Sequence, residues 1–253
     1  MIMKKIIAAN WKNNGSQEFV LQYFKYLLEN INLNNEIVVF PPDLYLSNSA
    51  FLIKDNKCKS PNDSESSIHI GGQTLICGSG NNALTGGTNL PMFHDNGCTY
   101  ILVGHSEVRS NLKEDFKSHL KAAIKDDFQP ILCVGEIESD IKIEKLIEQL
   151  GDFDDITNSN KIKRVIVAYE PVWAIGTGKT PDITDISSTH KFIKTKLSEF
   201  SSFKDKDIMV LYGGSVNLKN AKDILSAPHV DGVLIGGASL DVKEFTNICN
   251  LKI

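Results

Sequence analysis

The sequence predicts an α/β fold, a single (β/α)8 barrel over residues 1–253. Three observations predict it. Eight short runs rich in Ile and Val recur at intervals of roughly thirty residues, the length of a strand–helix–strand unit. Each run is apolar at nearly every position, as in parallel strands buried on both faces, and does not alternate. Segments with helical spacing lie between them. Eight strands alternating with helices fit either a closed barrel or an open doubly wound sheet. No G-x-G-x-x-G follows the first strand, which weakens the open, dinucleotide-binding option and leaves the barrel as the expectation.

The elements follow in order. Strands are expected from Lys5 (KIIAAN) and Glu36 (EIVVF), with a helix between them on Phe19, Leu21, Tyr23, Phe24, Leu27 and Leu28. Lys54 to Ser67 (KDNKCKSPNDSESS) is polar, lacks apolar periodicity and reads as an exposed loop. Further strands start at Ile68 (IHIGGQ), Tyr100 (YILVG) and Gln129 (QPILCVG). Ile137 to Leu150 is helical by the spacing of Ile141, Ile143, Leu146, Ile147 and Leu150. A sixth strand starts at Arg164 (RVIVAY) and is followed by a long helix, Thr184 to Phe200. Thr184 is the expected N-cap, although Ser187 stands where a capping box has Glu. The last strands start at Ile208 (IMVLYGG) and Gly232 (GVLIGG).

Composition narrows the function classes. Lys and Arg total 27 against 31 Asp and Glu, a net charge of −4, which argues against nucleic acid or an anionic membrane as partner. There is no apolar run of about 18 residues to span a bilayer. Only Ile6 to Ala9 is apolar before Asn10-Trp11-Lys12, too short for a signal-peptide core. The five cysteines (Cys58, Cys77, Cys98, Cys133, Cys249) are odd in number with no C-x-x-C, so free thiols in a reducing cytoplasm are expected.

A (β/α)8 barrel carries its active site at the C-terminal ends of the strands. The polar residues there read Asn10-Trp11-Lys12, Gln73, Gly104-His105-Ser106-Glu107, Gly135-Glu136, Tyr169-Glu170-Pro171, Gly213-Gly214-Ser215 and Gly236-Gly237. The turns YGGSVN and IGGASL place paired glycines between a strand and a helix. Backbone N–H groups can there approach an anion unobstructed, aided by the helix dipole. Ordinary tight turns are the alternative for either alone; two adjacent ones favour a phosphate site.

Glu170 ends an apolar strand, where partial desolvation makes a carboxylate a good general base. Pro171 to Pro181 (PVWAIGTGKTP), with prolines near both ends and an apolar middle, has the composition of a lid. A salt-bridging Glu170 beside an ordinary loop would leave Trp173 and Ile175 exposed without reason. His105 at a helix start suits a neutral imidazole donating to a carbonyl or enediolate oxygen. Lone histidines at strand ends are more often structural, however. Lys12 could balance phosphate or enolate charge; by itself a strand-end lysine is usually just solvated. The six histidines show no paired ligand spacing, and neither G-x-S-x-G nor G-x-x-x-x-G-K-[ST] occurs.

Taken together, ANWK, VGHSE, AYEPVWAIGTGKTP, YGGSVN and LIGGASL, in that order, resemble the triosephosphate isomerase family. FPP at Phe40–Pro42, TGG at Thr85–Gly87 and LCVGE at Leu132–Glu136 extend the resemblance over nearly the whole chain, and Tyr169–Lys179 is its most specific part. The resemblance implies an isomerase of glycolysis and gluconeogenesis, interconverting dihydroxyacetone phosphate and D-glyceraldehyde 3-phosphate with no cofactor or metal. It implies Glu170 as the base and His105 as the neutral electrophile. Lys12 and Asn10 would line the site, with Glu107 and Ser106 in support, and Gly176, Ser215, Gly236 and Gly237 would bind phosphate. It also implies a cytoplasmic homodimer in which the Thr85 loop reaches the neighbouring subunit.

This sequence departs from the family's pattern in places. Lys54–Ser67 is longer than usual, and Gln73-Thr74 stands where relatives have Gln-Asn. Gly87 replaces the Glu of Thr-Gly-Glu, and Val108 the first Arg of Ser-Glu-Arg-Arg. Two rival readings are another phosphate-binding barrel, such as a sugar-phosphate epimerase, and an inactive barrel serving as a binding protein. The first is not expected to combine Glu170, His105 and Lys12; the second is expected to have lost one of them.

Overall fold

The computed structural model describes residues 4–32, 34–55, 68–75, 85–111, 115–136, 143–153, 164–174, 181–200, 203 and 207–253. The strands are β1 (Ile6–Asn10), β2 (Glu36–Phe40), β3 (Ile68–Gly72), β4 (Tyr100–Val103), β5 (Gln129–Val134), β6 (Val165–Tyr169), β7 (Ile208–Tyr212) and β8 (Gly232–Ile235). They form a closed barrel in sequence order. Every pairing is parallel, and β1 closes on β8 through Ile6↔Gly232 to Ala9↔Ile235.

The unbroken apolar character of the strands has a direct cause. Ile6 and Ala8 belong to an apolar cluster made only of strand residues, with Val38, Leu102, Ile166, Ala168 and Leu211, which fills the barrel interior. Ile7 and Ala9 belong to a second cluster shared with helix residues such as Val20, Phe24, Leu120, Ile186 and Phe245. Alternate residues of each strand thus pack inward and outward, and both sets are buried.

The helices are α1 (Gln17–Asn30), α2 (Leu46–Asp55), α3 (Leu90–Asp95), α4 (Ser106–Asn111), α5 (Phe116–Lys125), α6 (Ile143–Leu150), α7 (Ile183–Phe200), α8 (Ala221–Ser226) and α9 (Val242–Cys249). Side chains cap several of them: Ser16 accepts from the Phe19 N–H, Asn89 from Met92 and Asp241 from Lys243 and Glu244. Two expectations are corrected. Thr184 is not the cap of α7, because the Asp182 carbonyl already accepts from Asp185 and Ile186 and the helix starts at Ile183. Lys54 and Asp55 are not loop; they end α2, and the remainder of the expected loop, 56–67, lies outside the described residues. So do 137–142 of the expected helix before Leu150. Cys98, Cys133 and Cys249 are free and buried, while Cys58 and Cys77 lie outside the described residues. Among the described residues no helix is long and apolar enough to cross a membrane.

The N-terminal mouth of the barrel is closed by charge. Arg164 clamps both oxygens of Glu36, at 2.6 and 2.7 Å, and Tyr100 hydrogen-bonds to both residues. Burial pushes the Glu36 carboxyl up, but Arg164 and Tyr100 outweigh it and hold it below the usual carboxylate range. With that end plugged, the opposite rim is left for chemistry.

Candidate active site

Asn10 ends β1 in register with the interior residues Ile6 and Ala8, so its side chain sits buried at the top of the barrel. Its Oδ1 accepts the Lys12 N–H at 2.9 Å. Lys12 has φ 52°, a left-handed conformation that costs a lysine about 1–2 kcal/mol. Its Nζ lies 2.6 Å from Glu107 Oε1 at the start of α4, and its side-chain stem passes beside Gly236. Partial burial pushes Glu107 up, yet Lys12 prevails and holds its carboxyl low.

His105 directly precedes α4, and its carbonyl accepts the Val108 and Arg109 N–H groups. The Glu107 N–H donates to His105 Nδ1 at 3.3 Å. With Nδ1 facing that N–H, Nε2 is the ring nitrogen left to face the rim. That nitrogen lies 3.1 Å from Glu170 Oε1, and the Ser106 N–H donates to Glu170 Oε2 at 3.1 Å. Glu170 follows β6 and is buried. The glycines of neighbouring turns make its seat: a Cβ on Gly135 would fall 1.8 Å from the Glu170 carbonyl oxygen, and one on Gly213 would fall 2.8 Å from its Cγ.

The two glycine turns lie beside these groups. Ser215 follows β7, and its carbonyl accepts from Asn220 Nδ2 at 3.0 Å. Gly236 follows β8, and its carbonyl takes the Ser239 N–H and hydroxyl. No atom lies within 4 Å of where a Gly237 Cβ would be, so the turn faces open space. Gly176 and the rest of 175–180, in the segment expected to act as a lid, lie outside the described residues; Val172–Ala174 forms one 3₁₀ turn. Among the described residues no group of three His, Cys, Asp or Glu could hold a metal ion.

A buried carboxylate, an imidazole beside it, an ammonium and two anion-ready turns are the parts needed for proton abstraction beside the carbonyl of a phosphorylated substrate. The chain matches the triosephosphate isomerase family over residues 5–252. It belongs to that family. Its relatives include the triosephosphate isomerase of Francisella philomiragia, 38% identical over 98% of this chain and 97% of the relative. That of Shewanella denitrificans is 35% identical over 100% and 98%.

In this triosephosphate isomerase family chain, two residues that sequence reasoning missed brace the rim. Arg109 Nε donates to the Gly104 carbonyl at 2.8 Å, its guanidinium also reaches the Cys133 carbonyl, and Asp152 pairs with it at 3.2 Å. It thus fixes the peptide before His105. Gln149 clamps Gly135 with a reciprocal pair, accepting its N–H at 2.8 Å and donating to its carbonyl at 3.1 Å. The sequence carried one signal for it, a glutamine on the apolar face of α6 beside Leu146 and Leu150. Arg109 gave none beyond its place one turn after His105.

Proposed function

We propose that this triosephosphate isomerase family chain interconverts dihydroxyacetone phosphate and D-glyceraldehyde 3-phosphate, the glycolytic and gluconeogenic reaction, with Glu170 moving the proton. The observation that supports this most is the 3.1 Å contact of Glu170 Oε1 with His105 Nε2, which places a carboxylate beside an imidazole of matching reach.

In this reading Glu170 takes a proton from the carbon bearing the hydroxyl group. The C–H electron pair becomes the C=C bond of an enediolate, and charge moves onto the carbonyl oxygen. His105 Nε2–H donates to that oxygen, and the Lys12 ammonium and Asn10 amide offset the charge. The remaining hydroxyl proton passes by way of His105 to the former carbonyl oxygen, the hydroxyl oxygen so freed becomes the new carbonyl, and returning the abstracted proton to the neighbouring carbon completes the isomerisation. To reach substrate, the carboxylate gives up the Ser106 N–H. Glu107 fixes the Lys12 ammonium through their 2.6 Å ion pair. The phosphate sits on Ser215, Gly236 and Gly237, with Gly176 from the lid. No cofactor or metal takes part.

We also read the chain as a cytoplasmic homodimer whose Thr85 loop reaches the neighbouring subunit. Three rim loops support a shared contact surface. Tyr45 donates to the Gly15 carbonyl at 3.1 Å, and Thr88 donates to Asp43 at 2.6 Å. Between these bonds Leu44 stands 85% exposed.

The test is an assay of the purified chain with glyceraldehyde 3-phosphate, coupled to detection of dihydroxyacetone phosphate, with and without a chelator. Turnover unaffected by the chelator is expected. No turnover, or turnover lost on chelation and restored by metal, would count against the reading.

A further inference from the structure

Lys12 is held in its left-handed turn on both sides of its Cα. Its N–H is bound by Asn10, and its carbonyl accepts Gln73 Nε2 at 2.8 Å. The same Gln73 nitrogen donates to the Phe40 carbonyl at 2.9 Å, so both hydrogens of the carboxamide are committed. Phe40 is the last residue of β2, and its carbonyl also accepts the Trp11 N–H at 3.1 Å. The Gln73 amide therefore carries the β1–β2 ladder one step past the point where the Lys12 turn leaves it.

Gln73 is well placed to act as a strut. It follows β3 directly, and the two residues before it are locked: a Cβ on Gly71 would strike Phe40, and one on Gly72 would strike Phe93. Phe40 and Phe93 are themselves fully buried. A lysine left to itself relaxes out of positive φ. Its long side chain would then leave the rim on a different bearing, away from Gly236 and Glu107.

We propose that Gln73 is a positioning residue for the isomerisation, its carboxamide fixing the Lys12 main chain in the turn that aims the ammonium across the rim. This rests on the reading of Lys12 as the cation facing substrate. With its nitrogen spent on the Lys12 and Phe40 carbonyls, Gln73 acts through the Lys12 main chain. An amide is required there. Glutamate has the same shape but would set acceptor against acceptor.

The test is a cycle of kcat/KM values for wild type, Gln73→Met, Lys12→Ala and the double variant, each with its thermal midpoint. Gln73→Met is expected to lower kcat/KM roughly 10–100-fold, as displacement of a catalytic group does. In the Lys12→Ala background the same change should matter by no more than about twofold, since partners in one pathway do not add. Gln73→Glu should be at least as impaired as Gln73→Met. An equal factor in both backgrounds would mark a merely structural role and overturn the proposal, as would an unimpaired Gln73→Met. Should Lys12→Ala itself keep wild-type kcat/KM, the reading of Lys12 fails and the proposal with it. Impaired Lys12→Ala with additive Gln73→Met overturns the proposal alone. If Gln73→Met does not fold, Gln73→Asn, one methylene too short to reach, runs through the same cycle.

Discussion

His105 Nε2 lies 3.1 Å from Glu170 Oε1, and the Ser106 N–H, one residue further on, holds the other carboxylate oxygen at the same distance. One short segment thus seats both oxygens of the Glu170 carboxylate and presents the imidazole ring beside it. His105→Asn shortens the side chain and withdraws the donor. Loss of one such donor typically costs about 10²–10³ in kcat. We expect a loss of that order with a smaller change in KM, measured by steady-state kinetics in both directions. A kcat within a few-fold of wild type would remove His105 from the reaction.

The glycine seat of Glu170 gives a second expectation. In Gly213→Ala the new Cβ would approach Glu170 Cγ to 2.8 Å, so the carboxylate must shift. A displacement of about 1 Å can cost roughly 10²-fold in rate. Gly213→Ala should therefore lower kcat far more than the fraction of folded chain, followed by circular dichroism. Unchanged kcat would mean that the seat tolerates the methyl group.

The strands were legible in the sequence because a barrel strand buries both faces, and Ile6 to Ala9 or Ile208 to Tyr212 leave no polar position to misread. Rim residues were legible for a related reason: Asn10, His105 and Glu170 are polar where such runs stop. Contacts were not. Gln73 and Lys12 are 61 residues apart, and no local pattern announces that a carboxamide will meet that carbonyl. The start of α7 failed differently. Asp182 and Thr184 are both capping residue types, and only the backbone bonds to the Asp182 carbonyl choose between them.

His190 on α7 should govern part of the acid stability. It is wholly buried, Nδ1 lies 3.3 Å from the His229 carbonyl, and burial pulls its pKa from 6.5 down to about 3. The folded chain keeps the ring neutral while the unfolded chain protonates it. Its contribution is therefore fully present above pH 6.5 and declines as pH falls toward 3, by up to about 1.4 kcal/mol per unit. The stability gap between wild type and His190→Gln, from urea unfolding at fixed chain concentration, should shift against wild type through this window. A gap independent of pH would show that His190 is not desolvated as described.

The proposed dimer gives a coupled expectation. By the family resemblance, Gly87 and Val108 stand where an acidic residue and an arginine pair across subunits. Breaking one partner of a buried pair costs about 3–5 kcal/mol, while replacing both can be neutral. Gly87→Glu or Val108→Arg alone should weaken the dimer. Val108 packs on the outer core, so its change also costs the subunit itself. The double variant should recover about 0.5–3 kcal/mol relative to the summed single effects in dilution-dependent sedimentation. Simple additivity, or a native chain that sediments as an active monomer, would refute the compensated contact.

The proposed role of Glu170 as the base is open to a single substitution, Glu170→Gln. Glutamine keeps the size of the side chain and a hydrogen-bonding oxygen for the Ser106 N–H, but it cannot accept the substrate proton. General base catalysis contributes roughly 10²–10⁴-fold, so kcat for triose phosphate isomerisation should fall by at least that range while the barrel stays folded. A folded Glu170→Gln with kcat within a few-fold of wild type would show that another group takes the proton.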